Sequence, residues 1–456
     1  MALMSPLDAA FLLPETRDQP MHVGSLQLYT KPSGAGKDFL QDAFQALLEV
    51  DEIAPLFRKR AYRSWSTAGQ WAWQEDTDID LEHHVRHSAL PRPGRIRELL
   101  ALASRLHSTL LDRQRPLWEM HLIEGLNDDR FAVYFKVHHA MLDGVSGLRL
   151  MQAVLSKDPD DTTLRAPYMP YEPKRRSEGG SSPIAALGGL AKGALDEVMA
   201  LGPGLMRAGE KLIREQAAAL PIQAPRTILN GSITGSRRFA AESWPLDRLK
   251  AVGAASGASL NDVVLAMCSG ALRLYLQELA ALPDSPLIAM VPVSLRGVNS
   301  EQTSGNNVGS ILCNLATDEP DPAARLAKIQ ESMNDGKAAM AAMSPLQVMA
   351  VSAVSMAPIA LGTMYGVHKL LPPPFNVTIS NVPGPRQKLY MGGATLDEFY
   401  PLSIPTVGQA LNITVTSYVD RMDFGLTGCR RNVPHLQRLL THLETSLGAL
   451  EMSQAA

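Results

Sequence analysis

The chain has 456 residues, of which 45% are hydrophobic and 20% are charged, and its formal net charge is −3. This length is too great for one ordinary core and predicts two domains. The composition excludes a disordered protein, and the small negative charge gives no basic field for nucleic acid. The three cysteines, Cys268, Cys313 and Cys429, lie far apart in sequence, which argues against a disulfide framework and favours a reducing cytosol. Residues 1–13 lack the layout of a signal peptide.

Residues 1–157 are predicted to form a first domain of mixed strands and helices. Apolar alternation predicts strands at 23–29, 120–124 and 131–137. Apolar stripes of helical period predict helices at 39–50 and 96–111. The cluster of His83, His84 and His87 accompanies charged neighbours, and it is interpreted as a solvated surface.

The most informative stretch lies where the strand at 131–137 ends. His138 and His139 follow the strand directly, and Asp143 comes just before a segment with helical apolar spacing. A neutral imidazole accepts a proton from a hydroxyl or thiol near neutral pH, so His139 is a candidate general base. If the backbone turns sharply after His139, Asp143 points away from the cleft and can hold the loop through an ion pair.

Three other interpretations of these residues stay open. The two histidines and Asp143 could bind a metal, although no further ligand is clustered with them. His138 and His139 could be hydrogen-bonded core residues. Asp143 could cap the helix that follows.

Residues 158–224 separate the two predicted domains. Proline, serine, glycine and charged residues dominate 158–183, which is typical of a linker. Residues 184–220 read as an amphipathic helix rich in small residues. We interpret this helix as a connector packed between domains, and a helix lying on a membrane is the alternative.

The second domain is predicted to cover residues 225–456. Ser259 is placed to cap a helix that runs to about residue 282, and Asn261 lies in its first turn, either as a cap variant or as a displayed polar group. A strand at 287–295 is broken by Pro292. A strand that ends in a turn is predicted at 376–385. A hairpin is predicted at 412–429, and a terminal helix follows it.

Residues 338–368 contain no Asp, Glu, Lys or Arg and hold five of the twenty methionines. The segment is long enough to span a bilayer, but prolines and serines interrupt it, which disfavours a transmembrane helix. Two interpretations remain. The segment is either a buried helix pair, or an apolar groove in which Met349 and Met356 bind a lipid chain, because methionine adapts to varied shapes.

Four motifs resemble those of the bacterial wax ester synthase/acyl-CoA:diacylglycerol acyltransferase family. They are His-His-Ala-Met-Leu-Asp-Gly at 138–144, Pro-Leu-Trp at 116–118, Asn-Asp at 261–262, and the segment 376–385. Residues 4–11 are similar to the start of the family as well. The histidine motif alone is shared with many CoA-dependent acyltransferases, but the four together are specific, and they span most of the chain.

The resemblance implies an α/β (α+β) fold of two domains similar to chloramphenicol acetyltransferase. Each domain would be a mixed sheet covered by helices, with a tunnel at the interface. It also implies transfer of a long-chain fatty acyl group from acyl-CoA to a long-chain alcohol or to diacylglycerol. Acyl-CoA is then a substrate, so neither a cofactor nor a metal is expected.

The resemblance also assigns roles to site residues. His139 would deprotonate the acceptor hydroxyl, Asn261 would hold the oxyanion or orient substrate, and His138 would shape the pocket. Asp143 is expected to pair with Arg296 as structural support, together with Gly144. Ser380 and Asn381 are weaker candidates for substrate binding.

A peripheral contact with the inner membrane or with lipid inclusions is expected, from a cytoplasmic location and without nucleic-acid partners. Two other functions compete with acyl transfer. A serine lipase or esterase would also suit an apolar pocket, but the sequence has no Gly-x-Ser-x-Gly elbow. A non-enzymatic lipid-binding protein would leave His139 and Asn261 unexplained.

Overall fold

The structure is a computed structural model, and it describes residues 2–170, 224–294, 308–343 and 372–455. Several predicted features lie outside these residues. They are the connector helix at 184–220, Arg296, Met349 and Met356. The predictions made for them therefore stay predictions.

The first half of the chain forms one mixed sheet with helices and one small sheet. Its strands are β1 (Ala2–Leu3), β2 (His22–Thr30), β3 (Lys59–Arg63), β4 (Trp71–Glu75), β5 (Val85–Ala89), β6 (Trp118–Glu124) and β7 (Arg130–His138). Its helices are α1 (Pro6–Leu12), α2 (Phe39–Leu48), α3 (Leu81–His84), α4 (Ile96–Ser108) and α5 (Gly144–Val154). In the larger sheet β2, β7, β6 and β5 are neighbours, and only β5 and β6 among these four run parallel. The predicted strands and helices of this half are confirmed.

The predicted solvated surface around three histidines is wrong for His84. This side chain is 1% exposed, its Nδ1 lies 2.8 Å from the carbonyl oxygen of Trp118, and its ring stacks on the Trp118 indole with centroids 4.5 Å apart. His84 is the last residue of α3, so it turns toward β6 while its charged neighbours face outward. His83 and His87 are half-buried.

The second half forms a second six-stranded sheet. Its strands are β8 (Arg237–Pro245), β9 (Ile288–Ser294), β10 (Val308–Asn314), β11 (Val377–Val382), β14 (Leu411–Tyr418) and β15 (Arg421–Cys429), in the order β10-β9-β11-β14-β15-β8. Its helices are α6 (Leu246–Ser256), α7 (Leu260–Glu278), α8 (Pro322–Ala341) and α9 (Arg438–Ala455). Most residues of α7 are buried, because α8 and α9 pack against it over the largest hydrophobic core. The predicted capped helix, hairpin and terminal helix are confirmed.

Pro292 lies inside β9 without ending it. It stands opposite Ser310 in the antiparallel pairing with β10. On the other side of β9, the parallel pairing with β11 involves only Ala289 and Met290. Proline has no amide hydrogen to donate to a neighbouring strand. Pro292 lies beyond the part of β9 that pairs with β11, so no hydrogen bond of that pairing is lost.

Two strands of the second half join the first sheet. They are β12 (Tyr390–Met391) and β13 (Ala394–Leu402). β13 runs antiparallel to β2, from Thr395 opposite Thr30 to Leu402 opposite Gly24, which completes the order β12-β13-β2-β7-β6-β5. The two halves therefore share a sheet. No local sequence pattern predicts this exchange, and the domain boundaries at 157 and 225 remain predictions.

The close approach of β13 to β15 requires a glycine. A Cβ at Gly425 would lie 1.9 Å from the carbonyl oxygen of Pro401 in β13, so one of the two strands would have to move. We expect Gly425→Ala to lower the free energy of unfolding by about 1–3 kcal/mol or more, as overpacking does.

The control for this substitution is Gly448→Ala in α9, where a Cβ meets no described atom within 4 Å. Alanine there should raise stability by about 0.8–1.0 kcal/mol, because glycine is a poor helix former. Urea denaturation measures both. Equal unfolding midpoints for Gly425→Ala and the native protein would contradict the close approach.

Asp423 is a fully buried carboxyl group beside the exchanged strand. Its Oδ1 accepts a hydrogen bond from the Ser243 hydroxyl at 2.6 Å, and its Oδ2 accepts one from the amide of Phe399 in β13 at 2.9 Å. Burial raises the pKa of Asp423 to about 7, and the nearby Glu398 carboxylate adds to the effect.

The raised pKa of Asp423 makes stability depend on pH. The folded protein keeps this proton up to about pH 7, whereas the unfolded chain releases it near the ordinary pKa of 3.8. The stabilisation is therefore complete below pH 3.8 and is lost as pH rises toward 7. Three pKa units correspond to on the order of 4 kcal/mol. Asp423→Asn should remove this dependence in urea denaturation at pH 5 and pH 8, whereas Asp420→Asn, at an exposed site, should not.

Within the described residues, no single helix has the length and apolar character to cross a bilayer, and only the pair α6 and α7, bent by 102°, meets that test when taken together.

Candidate active site

The loop between β7 and α5 carries the histidine motif, as predicted. β7 ends at His138, and α5 begins at Gly144 with Asp143 as its N-cap. Asp143 accepts hydrogen bonds from the amide of Ser146 at 2.8 Å and from its hydroxyl at 2.9 Å. The capping interpretation of Asp143 is thus confirmed. Its expected pairing with Arg296 stays a prediction, since Arg296 is not described.

His139 is half-buried in this loop. Its amide donates to the carbonyl oxygen of Met21 at 2.9 Å, and the ring of Phe11 from α1 stacks on its imidazole with centroids 4.0 Å apart. Burial lowers the pKa of His139 to about 4, although the Asp143 carboxylate opposes the shift. The imidazole is therefore neutral near pH 7. Its Nδ1 is buried and has no hydrogen-bond partner among the described residues.

His138 is fully buried, and protein groups face both of its nitrogens. Its Nδ1 accepts a hydrogen bond from the amide of Ala140 at 3.1 Å, and its Nε2 lies 3.3 Å from Oε1 of Glu15. A nitrogen that accepts a hydrogen bond does not carry the hydrogen, so Nε2 is the nitrogen of this ring that carries it. This placement fits a residue that shapes the loop. It gives His138 no described path to a substrate.

Glu15 is a site residue that sequence reasoning missed. It follows α1, and its side chain is 2% exposed between Arg113, Met21 and His138. The sequence offers little signal for it, because a single glutamate after an apolar helix is usually a surface residue. Its contacts form only when α1 packs against the end of β7.

The Pro-Leu-Trp motif at 116–118 packs beside the loop that carries the histidines. The carbonyl oxygen of Leu117 accepts a hydrogen bond from the amide of His138 at 2.9 Å. Trp118 is fully buried, its Nε1 donates to the carbonyl oxygen of Phe57 at 3.0 Å, and Tyr168 stacks on its indole with centroids 4.9 Å apart. The motif therefore acts through packing, the backbone hydrogen bond from His138 and the hydrogen bond of the Trp118 indole.

The structure brings Asn261 and Asn381 together. Asn261 is the second residue of α7, Asn381 is in β11, and Nδ2 of Asn381 donates to Oδ1 of Asn261 at 3.4 Å. Ser380 is half-buried on the same strand, opposite Thr414 of β14. No described contact links Ser380 to Asn261. At Gly144 a Cβ would meet no described atom within 4 Å. Packing against the described residues therefore does not require a glycine at this position.

Residues near the two ends of the motif at 376–385 have structural roles. The fully buried Asn376 accepts from the amide of Ile288 at 2.8 Å and donates to the side chain of Asn230 at 2.8 Å. At the other end, a Cβ at Gly384 would lie 1.9 Å from the carbonyl oxygen of Ser417. These two residues hold β11 in place, and Asn381 is the part of the motif that meets Asn261.

The segment between α1 and β2 joins the two halves beside the histidines. The side-chain oxygen of Gln19 accepts from the amide of Val407 at 2.7 Å, and the carbonyl oxygen of Asp18 accepts from Arg237 at 3.0 Å. The buried His107 also bridges the halves, with Nε2 3.0 Å from the carbonyl oxygen of Ser403. His139, whose amide bonds to Met21 at the end of this segment, therefore lies close to the junction.

No group of three or more histidine, cysteine, aspartate or glutamate side chains within the described ranges is arranged to hold a metal ion. The metal-binding interpretation of the two histidines and Asp143 thus gains no support from those residues.

The fold defines the class of protein. The chain superposes on the starter condensation domain of rhizomide synthetase, solved with C8-CoA and Leu-SNAC, with a TM-score of 0.61 at 13% identity, over 100% of this chain and 94% of that one. It superposes on the wax ester synthase/diacylglycerol acyltransferase from Marinobacter aquaeolei VT8 with a TM-score of 0.81 at 42% identity, over 100% of both chains. The predicted fold class, two mixed-sheet domains covered by helices, is confirmed.

Sequence comparison gives the family. Residues 4–264 match the wax ester synthase/diacylglycerol acyltransferase catalytic domain, and residues 304–451 match the WS/DGAT C-terminal domain. A Mycobacterium tuberculosis protein named a probable diacylglycerol O-acyltransferase is 51% identical over 455 residues, 99% of each chain. A second protein of that organism, named for the same activity with less certainty, is 53% identical over 448 residues, 98% of this chain and 99% of its own. The chain belongs to the wax ester synthase/diacylglycerol acyltransferase family, and it is an acyltransferase.

Proposed function

We propose that this protein transfers a long-chain fatty acyl group from acyl-CoA to the hydroxyl of diacylglycerol or of a long-chain alcohol. The observation that carries the proposal is the neutral imidazole of His139, held at the end of β7 in a chain of this family. The names of the mycobacterial relatives favour diacylglycerol, and the Marinobacter structure is named for both activities.

His139 acts as the general base in this proposal. Its pKa near 4 keeps the ring neutral, so it takes a proton from the acceptor hydroxyl as the oxygen attacks the thioester carbonyl. The tetrahedral intermediate then collapses, its carbon–sulfur bond breaks, and the imidazolium returns the proton to the CoA sulfur. The products are an ester and free CoA, so protons and charge balance without a cofactor.

Asn261 stabilises the oxyanion of the intermediate. In the geometry where Asn381 donates to Oδ1 of Asn261, the Asn261 amide presents its NH2 group as a donor. An amide donor oriented before the reaction stabilises the charge that develops on the carbonyl oxygen. The partner Asn381 would thus fix the orientation of Asn261.

The acceptors in this proposal are lipids, so we also propose that the protein contacts a membrane or lipid-inclusion surface from the cytoplasm. Removing each methylene of a lipid chain from water contributes about 0.8 kcal/mol, which favours delivery from a lipid phase directly into an apolar path. Met349 and Met356 keep their proposed place along that path.

The experiment measures CoA release by purified protein supplied with a long-chain acyl-CoA. It compares reactions without acceptor, with a long-chain alcohol and with diacylglycerol in vesicles, and it identifies the ester product by mass spectrometry. His139→Ala is the test variant. His83→Ala, a histidine in α3 away from the loop, is the matched control.

Acceptor-dependent CoA release with formation of ester, lost in His139→Ala and kept in His83→Ala, is the expected result. CoA release that does not depend on acceptor would mean a thioesterase. Ester hydrolysis without any need for CoA would mean a lipase. Lipid binding with no turnover of any substrate would mean a carrier protein, and each of these three outcomes overturns the proposal.

A further inference from the structure

Glu15 is a buried carboxylate that the proposed reaction does not use. Its Oε2 accepts two hydrogen bonds from Arg113, from Nε at 3.0 Å and from a terminal nitrogen at 2.9 Å. Arg113 also donates to the carbonyl oxygen of Leu12 at 2.9 Å, which fixes the end of α1. Burial alone would raise the pKa of Glu15, but the donors around it hold the pKa below its ordinary value. The group is therefore ionised at neutral pH.

The other carboxylate oxygen of Glu15 faces His138. Oε1 lies 3.3 Å from Nε2 of His138, the nitrogen that carries the hydrogen because Nδ1 accepts from the Ala140 amide. The imidazole is thus held at both ends, by the carboxylate on one side and by the backbone of its own loop on the other. A ring held in this way keeps the turn at 138–140 in one conformation.

The same oxygen is linked to the His139 backbone through one residue, Met21. Oε1 accepts from the amide of Met21 at 3.1 Å, and the carbonyl oxygen of Met21 accepts from the amide of His139 at 2.9 Å. Glu15 therefore lies against the His138 ring and is linked to the His139 backbone only through Met21. It does not contact the His139 ring itself.

We propose that Glu15 is a positioning residue for the general base: its carboxylate fixes the backbone and ring around residues 138–140, and so sets the direction of the His139 imidazole. This inference rests on the proposed function. Glu15 is not a catalytic residue in this proposal, because it reaches the reaction only through Met21 and His138.

Glu15→Gln tests the proposal with almost no change in shape. Glutamine has one acceptor oxygen and one NH2 group. Whichever way it is oriented, the NH2 group faces a donor, either Arg113 or the pair formed by Met21 and His138. We expect kcat to fall by up to about 100-fold, as it does when a catalytic group is misplaced by about 1 Å. We expect KM for both substrates to change less than about twofold, since ground-state binding is untouched.

The matched control is Glu278→Gln. Glu278 also pairs with an arginine and a histidine, Arg438 at 3.1 Å and His442 at 2.8 Å, but these contacts lie on the exposed surface of the second half. This variant should keep the native kcat. All rates are measured per folded protein, at a temperature where circular dichroism shows each variant to be native.

The split between kcat and KM separates a positioning role from a purely structural one, and proton NMR tests the contact between Glu15 and His138 directly. The ring resonances of His138, identified by their absence from His138→Ala, should shift in Glu15→Gln because the carboxylate charge 3.3 Å from Nε2 is gone. If Glu15→Gln does not fold, Glu15→Asp replaces it. Aspartate keeps the charge but is shorter by one methylene, so it should show the same loss of kcat.

The failures are distinguishable. A native kcat in folded Glu15→Gln or Glu15→Asp, or an equal loss in Glu278→Gln, overturns the positioning role and leaves the proposed function standing. An unshifted His138 resonance also overturns it. If the native protein transfers no acyl group at all, the proposed function fails, and with it the kinetic basis of this inference.

Discussion

His139→Ala is expected to lower kcat by about two to four orders of magnitude, the usual contribution of a general base. The fold should survive, because the described hydrogen bond of His139 is made by its backbone amide, which alanine keeps. Stopped or continuous assays of CoA release measure the effect, and circular dichroism checks the fold.

His138→Ala is the comparison for this result. It removes a ring that orders the loop without reaching a substrate, so we expect a smaller loss of kcat than in His139→Ala, accompanied by lower stability, since Glu15 and the Ala140 amide each lose a partner. An indispensable His138 beside a dispensable His139 would show that the roles of the two histidines are reversed.

The pH dependence provides a second measure of the same base. Since burial lowers the pKa of His139 to about 4, the ring should remain neutral well below the ordinary histidine pKa of 6.5. The acid limb of kcat/KM should therefore fall near pH 4, because that profile reports the ionisation of the free enzyme. An acid limb at pH 6.5 would mean that His139 is solvated in the working enzyme.

Asn261→Ala is expected to lower kcat by about 10²–10³-fold, as the loss of one oxyanion donor does. KM should change little, because the donor acts on charge that is present only in the transition state. Asn381→Ala should cost less, since Asn381 orients Asn261 by one hydrogen bond at 3.4 Å and is not itself the proposed donor. Steady-state kinetics with saturating acyl-CoA measures kcat, and KM for the acceptor, in both variants.

Asn334→Ala is the matched control for Asn261→Ala. It makes the same change on an exposed position of α8 and should leave kcat at the native level. If Asn261→Ala raises KM while kcat stays native, Asn261 binds substrate in the ground state. The oxyanion role would then be wrong, although Asn261 would still belong to the site.

Some site residues could be predicted from the sequence because their signal is local. The alternation at 131–137 and the helical spacing after Gly144 place His139 at a strand end without any knowledge of the fold. The capping role of Asp143 was likewise open from the sequence and is observed. Asn261 was recognisable as a first-turn residue of a capped helix, but its partner Asn381 comes from a strand 120 positions away.

The sequence by itself determined the elements, the family motifs and the candidate base, because periodicity and turn residues depend on near neighbours along the chain. Only the tertiary structure decided three things. It pairs β13 with the sheet of the other half, it buries His84 against Trp118, and it places Glu15 beside His138 and the Met21 amide. Each depends on packing between segments far apart in sequence, where the cost of burying a polar group is offset by partners that the local pattern does not contain.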